Sequence, residues 1–337
     1  MKTGTANLLL LLAGAIWGFG FLAQKNAMDD IGPMLFVGLR FLLAAAAVLP
    51  LCLFELKTRR ALQTTKTGEN FNRAWLLRFV GLGFLFFAGM ALQQTGLQTT
   101  SITNAGFLTT LYVVFTPFLS WVMLKEAPPK LIWPLACLSV AGVYLLSSGD
   151  LSALKLGDFL ILAGAGVWAF HVIFVGRFSS ASNLPYTMAT LQFFTCGTLG
   201  CAAQILCSTL LPEKSWPTAQ DIWNAAPEIV YAGLFSGAIA FTLQAVAQRF
   251  TSASIAAILM SSESLFAAIL GAIFLNERLN GSGYTGCGLI FASIVTTEIL
   301  SIRAERLIKR NHSDRPPKDT APDDTLKHQN PTMESAT

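Results

Sequence analysis

Displaced by 151 residues, the chain matches itself. Trp17 falls on Trp168, within Leu11-Leu12-Ala13-Gly14-Ala15-Ile16-Trp17-Gly18-Phe19 and Leu162-Ala163-Gly164-Ala165-Gly166-Val167-Trp168-Ala169-Phe170. The same offset, without a gap, sets Gln93 on Gln244, Thr100-Ser101 on Thr251-Ser252, Ala105 on Ala256, Phe115 on Phe266 and Glu126 on Glu277. Two distant anchors sharing one offset mark a duplication. The duplicated unit is almost wholly apolar, which is how many membrane transporters are built.

Composition removes the soluble alternative. Of 337 residues, 53% are hydrophobic and 12% charged, against roughly 25% charged in a soluble domain. Apolar stretches of about 20 residues recur, each long enough to cross a ~30 Å hydrocarbon core. The period-two alternation of a β-barrel is missing from the sequence. The reading is therefore an all-α membrane protein with ten transmembrane helices, near 6–26, 33–54, 77–97, 103–124, 131–148, 157–177, 185–208, 227–248, 253–275 and 283–302. The first five form one repeat (1–150) and the next five a second (151–302). Residues 303–337 are polar, carry Pro316-Pro317 and lack apolar periodicity, so they are expected to form a disordered cytoplasmic tail. The N-terminal helix resembles a signal peptide in outline, but the same pattern returns at helix six, where a cleaved leader cannot be.

Charge sets the orientation. With the N-terminus inside, fifteen Lys and Arg fall on inner segments, among them Lys57, Arg59, Arg60, Arg177 and Arg249. Only Lys25, Lys155, Lys214 and Arg278 fall outside. Both termini are thus expected in the cytoplasm, with the chain in a bacterial cytoplasmic (inner) membrane. Five helices is an odd number, so the second repeat enters from the opposite side and the repeats are inverted. The six cysteines lie in apolar stretches without metal-site spacing and read as small hydrophobes.

The segment from Thr251 to Phe266, continuing through Gly271 to Leu275-Asn276-Glu277-Arg278-Leu279, resembles the signature of the drug/metabolite transporter superfamily, in particular its ten-helix EamA-type members. Thr100 to Ala105 and Leu124-Lys125-Glu126 carry a weaker copy, and Ala15-Ile16-Trp17-Gly18 is similar to the first helix of that family. The likeness spans about residues 5–302. It implies a central cavity lined mainly by helices one, three, four, six, eight and nine. Asn276 stands where the family's corner usually has Gly.

Seven residues are candidates for the substrate or proton pathway. Glu263 is the one acid deep in an apolar helix, about 15 Å along helix nine. A charge there costs about 3 kcal/mol, so the group must be protonated, paired or facing a wet cavity. The bland alternative is a hydrogen bond to a neighbouring helix through Ser261 or Ser262. Tyr112 is its repeat mate. Arg40 lies about 10 Å into helix two. It can snorkel to headgroups, pair with a carboxylate or bind an anionic substrate. Gln93 and Gln244 are repeat mates whose amides suit either a metabolite or a neighbouring helix. His171 is the sole histidine within the apolar helices and suits proton traffic or an interhelical hydrogen bond. Trp17 and Trp168 sit mid-helix, as packing residues or as a cavity wall. Asn104 reads as a helix-end cap, Glu126 and Glu277 as structural corners, and Gly14 with Gly18 as a close-packing pair.

Three functional classes compete. A gradient-driven transporter is favoured, since the sequence has no phosphate-binding loop. It would export small metabolites, amino acids or related compounds first, by alternating access, with multidrug efflux as the alternative. An intramembrane enzyme would need a motif such as His-Glu-x-x-His or Gly-x-Ser-x-Gly, and neither is present. A channel or lipid scramblase would run polar residues along a whole helix face, whereas here they gather near the middle and ends. The expected partners are a small-molecule substrate and the lipid bilayer. Protons are the candidate coupling ion and a homodimer the candidate assembly. No nucleic acid, cofactor or metal is expected.

Overall fold

The computed structural model describes residues 1–63, 71–100, 102–125, 127–147, 155–210, 216–274 and 279–313. Within them every regular element is helical. Seven helices are long and apolar enough to cross a membrane, and three shorter apolar ones occupy the remaining predicted spans. The fold is an all-α membrane protein of ten transmembrane helices in two inverted five-helix repeats.

We number the helices by span. α1 is split into α1a (Thr3–Trp17) and α1b (Gly20–Asp30). α2 covers Pro33–Gln63 and α3 covers Arg73–Gly96. α4 is split into α4a (Ile102–Thr110) and α4b (Tyr112–Leu124), and α5 is Ile132–Ser147. The second repeat follows with α6 (Leu156–Ser182) and α7 (Pro185–Leu210). α8 runs from Ala226 to Ala247 and is π-helical over Tyr231–Phe241. α9 is split into α9a (Ala253–Met260) and α9b (Ser262–Phe274), and α10 is Gly281–Ser313. A short helix, Ala219–Asn224, precedes α8, with Thr218 capping it through Asp221 N–H.

Three spans that read as continuous in sequence are interrupted by a turn, and each turn has a helix-weakening feature beside it. At α1 the run Trp17-Gly18-Phe19-Gly20 places two glycines within a single turn, where helix is intrinsically weak. α4 breaks at Leu111 and α9 at Ser261, almost the same point of the repeat. Around Leu111, Thr110 Oγ1 donates to Gly106 O (2.8 Å) and Thr116 Oγ1 to Tyr112 O (2.7 Å). Hydroxyls that bond back into the preceding turn loosen and bend a helix. Pro117 removes a further backbone donor. At the α9 break Ser261 Oγ lies 2.6 Å from Ile258 O and 2.7 Å from Ser139 Oγ. Sequence periodicity carries none of this, because side chains that bend a helix remain compatible with its apolar pattern.

Small residues hold the bundle. Lipid tails are as apolar as Leu, so membrane helices associate by close packing and interhelical hydrogen bonds. α1a lies directly on the α9 break. A Cβ added at Gly18 would stand 2.9 Å from Ala267 N and 3.1 Å from Glu263 O, and one at Gly14 would strike Ser262 Oγ. Glycine is therefore required by the approach of two backbones. On the outside, Leu51, Phe54, Trp121, Phe194, Leu206 and Phe291 are exposed, as expected of a lipid-facing belt.

The tail boundary differs from expectation. α10 continues helically to Ser313, past residue 302, because the sequence from Arg303 to Arg310 is polar but free of Gly and Pro. Residues 314–337, Glu126 and Glu277 lie outside the described residues.

Candidate functional site

A cavity of about 70 Å³ lies between the two repeats. On the order of five water-sized positions fit at ~10–15 Å³ each. Its wall takes Trp17, Gly20 and Gln24 from α1, Arg40 from α2, and Met90 and Gln93 from α3. Thr109 and Tyr112 come from α4, and Trp168 and Val172 from α6. Ser236, Phe241 and Gln244 come from α8, and Met260 and Glu263 from α9. These are the six helices that the resemblance implied, with α2 added through Arg40.

Six of the seven predicted residues meet here: Trp17, Arg40, Gln93, Tyr112, Gln244 and Glu263. His171 does not. It is 1% exposed, its Nε2 lies 3.0 Å from Gln192 Oε1, and its ring packs 5.0 Å from Phe86 and 5.4 Å from Trp168. Its repeat mate Gly20 reaches the cavity instead. The imidazole belongs to the aromatic cluster behind the wall.

The helix breaks place the central groups. Tyr112 is the first residue of α4b, and Glu263 lies in the first turn of α9b. Both stand just after the turn within their helix, where the backbone stays right-handed and Val114 N, Phe115 N and Ser264 N bond back across the turn to Leu111 O and Ser261 O. Glu263 has no hydrogen-bond or ion-pair partner among the described residues, so the bridge to Ser261 or Ser262 weighed from sequence is absent there. Ser261 bonds to Ser139 and Ile258, and Ser262 Oγ has no partner.

Aromatic rings form one wall. Trp17 packs 4.6 Å from Phe241, and Trp168 stacks on Phe241 at 6.1 Å with an interplanar angle of 16°. Trp17 Nε1 donates to Ser236 O at 3.0 Å, so the ring is fixed in orientation. Tyr231 in the π-helical turn donates to Ile16 O at 2.6 Å, tying α8 to the end of α1a. π-helical turns are rare and cluster at functional sites.

The amides behave differently from one another. Gln93 makes no side-chain hydrogen bond among the described residues, so both ends of its amide face the cavity unspent. Gln244 Nε2 donates to Gln248 Oε1 (2.9 Å), and Gln248 Nε2 donates to Val172 O (3.0 Å). Gln94, next to Gln93, is fully buried and donates to Gln24 O at 3.1 Å.

The cavity extends from mid-bundle toward the end that carries the α1–α2 turn, as the inclusion of Gly20, Gln24 and Arg40 requires. The opposite end is sealed by polar bonds. Glu55 of α2 accepts from Thr187 N (2.7 Å), Thr187 Oγ1 (2.7 Å) and Tyr186 N (3.3 Å), capping α7 from another helix. Arg59 donates to Ser182 O, and Arg249 to Asn183 Oδ1. Asn183 adopts the left-handed conformation (φ 59°) that ends α6. Sequence reasoning missed this seal, since Glu55 and Arg59 read as loop charges. It also missed Asn7, which donates to the half-buried Glu298 at 2.6 Å.

Four further lining residues pair through the repeat: Met90 with Phe241 and Thr109 with Met260 are mates at the 151-residue offset, beside Trp17/Trp168, Gln93/Gln244 and Tyr112/Glu263. None of the four is the mate of a predicted candidate, so the offset alone does not single them out.

A helical bundle of inverted repeats, wrapped around a small polar-and-aromatic cavity sealed at one end, defines a membrane transporter. The chain belongs to the EamA-like transporter family, whose profile matches residues 4–148 and again 155–298. It is similar to an uncharacterized transporter of Archaeoglobus fulgidus, with 29% identity over 88% of this chain and 86% of the relative. It is also similar to the uncharacterized transporter YwfM of Bacillus subtilis, at 24% over 88% and 94%. The threonine/homoserine exporter RhtA of Salmonella typhimurium is 28% identical over 71% of this chain and 79% of that protein. One solved crystal structure shares the fold, with a TM-score of 0.68, 18% identity and coverage of 90% of this chain and 100% of the other.

Proposed function

We propose that this protein is a secondary-active exporter of small polar metabolites, amino acids and their relatives first, working by alternating access and coupled to protons through Glu263. The observation that carries the reading is the cavity between the inverted repeats, closed at one end and lined by mates of unlike chemistry. Symmetry-related halves have two arrangements of similar energy, so the cavity can open to either side in turn. Its contents are one acid, one guanidinium, amides, hydroxyls and aromatic faces. Such a set matches a small solute carrying charge at one end and carbon at the other. The exporter name of one relative points the same way. Lys and Arg bias supports a bacterial inner-membrane location with both termini in the cytoplasm, which puts the Glu55–Arg59–Arg249 seal on the cytoplasmic side. Residues 1–150 and 151–302 then act as the two rocking units.

Overexpression followed by challenge with toxic amino-acid analogues and with cationic dyes tests the substrate class. Proteoliposome flux of a metabolite panel, with and without an imposed pH gradient, tests the coupling. Protection against the analogues together with gradient-driven flux is expected. Protection against dyes alone would favour multidrug efflux. Flux for neither class would overturn the transport reading.

A further inference from the structure

Among the described residues, Arg40 is a buried cation without an anion. It is 2% exposed and lines the cavity. A guanidinium offers five N–H donors. Here Nη2 meets the Met90 thioether at 3.0 Å and Gln94 Oε1 at 3.4 Å, and Nε has no partner. Among the described residues no carboxylate hydrogen-bonds to it. Snorkelling is ruled out by its burial, and an internal ion pair by this contact set. Two of the three sequence-level readings of Arg40 therefore fall away.

Its orientation is nonetheless fixed. The guanidinium carbon lies 4.7 Å from the Phe36 ring centroid and 4.8 Å from that of Phe41. Those ring faces hold the group by cation–π attraction. Gln94 is held in turn, because its amide nitrogen is committed to Gln24 O, which leaves its carbonyl oxygen for Arg40. Unpartnered polar atoms share the same lining: Gln24 Oε1, Thr109 Oγ1 and Trp168 Nε1. These atoms and Arg40 Nε lie on one cavity wall, within which a solute's polar groups would find hydrogen-bond partners.

We propose that Arg40 is the carboxylate-binding, specificity-determining residue of the cavity, so that the transported solute carries a carboxylate. A planar, preorganised fork without an internal acceptor suits bidentate recognition of that group. Glu263 lines the same cavity without pairing with Arg40, which leaves an acid for the solute's ammonium. The repeat mate of Arg40 is Leu191, so the site holds one such cation and takes the solute in one orientation. This inference rests on the transport reading and narrows its substrate class to zwitterionic amino acids.

The test compares L-threonine with its carboxamide, nearly equal in size but without the anionic end, in proteoliposomes of wild type, Arg40→Lys and Arg40→Gln. Wild type is expected to prefer the acid by about tenfold or more. Arg40→Lys should keep part of that preference, and Arg40→Gln should bring the ratio near one while still moving the amide. Ligand-induced thermal stabilisation in detergent gives a second readout on the same pair. An acid-to-amide ratio in Arg40→Gln equal to that of wild type overturns the proposal. So does a wild-type protein indifferent to the carboxylate, even where Arg40→Gln fails to reach the membrane. Cationic dye flux without any carboxylate-bearing solute moving or binding would sink the carboxylate site and leave the transport reading intact. No flux of any solute would sink both.

Discussion

The two repeats agree in backbone and differ in chemistry. Trp17 and Trp168, or Gln93 and Gln244, are identical mates on the cavity wall, whereas Tyr112 faces Glu263, Thr109 faces Met260 and Met90 faces Phe241. Helix breaks recur at Leu111 and Ser261, so the duplicated backbone still dictates where a side chain can reach the centre. What each half delivers there has diverged. The ends diverge further. Glu55, Arg59 and Arg249 seal one end, while their mates Leu206, Leu210 and Gln98 build no such bonds at the other. A symmetric scaffold makes two states reachable, and unlike residues decide which is favoured and what is carried.

Breaking the scaffold should have the largest effect. Gly14 and Gly18 admit the α9 backbone, whereas their mates Ala165 and Ala169 carry a Cβ and are buried without conflict. Gly18→Leu should abolish folded protein, seen as loss of a monodisperse peak in detergent. Gly18→Ala should cost about 1–3 kcal/mol. Ala169→Gly should cost only about 1 kcal/mol. Equal tolerance at both mates would mean the α1–α9 contact is looser than described.

The seal comes next. Glu55→Ala removes the cap on α7, worth about 0.5–2 kcal/mol, and should favour the state open at that end. A cysteine introduced at Gln244 should then react several-fold faster with an impermeant thiol reagent applied from the Arg59 side. The mate substitution, Leu206→Ala, should leave that rate unchanged. Matching rates in the two variants would remove Glu55 from the gate.

The amide pair gives the finest comparison. Among the described residues the Gln93 side chain makes no hydrogen bond, whereas Gln244 is committed to Gln248. Gln93→Ala should raise KM about tenfold with little change in stability. Gln244→Ala should instead lower stability by about 1 kcal/mol, because Gln248 loses its donor. Michaelis constants and thermal midpoints of the two variants, measured side by side, decide it.

Much of this was readable from sequence. The offset, the apolar spans and the charge bias led to the ten helices, and six of seven pathway candidates reach one cavity. The misses have physical causes. His171 has the right polarity and depth, but its side chain packs among Phe86, Trp168 and Gln192, and residues that meet only through the tertiary packing of different helices leave no trace in periodicity. The breaks in α1, α4 and α9 occur beside glycines or back-bonding hydroxyls, features that leave the apolar pattern intact and that unbroken helices such as α7 also carry. The seal depends on residues far apart in sequence: Glu55 with Thr187, and Arg249 with Asn183. Met90, Thr109, Phe241 and Met260 are mates of one another and of no candidate, so only the cavity itself brings them out.

The central claim is that unlike mates at one symmetric position carry the coupling. It is tested most directly by flux in proteoliposomes of wild type, Glu263→Gln and Tyr112→Phe across about pH 5.5 to 8. The account predicts that Glu263→Gln reaches the membrane but loses most gradient-driven flux and its dependence on pH, while Tyr112→Phe keeps both in reduced measure. Glu263→Gln flux equal to wild type over the whole range would contradict it.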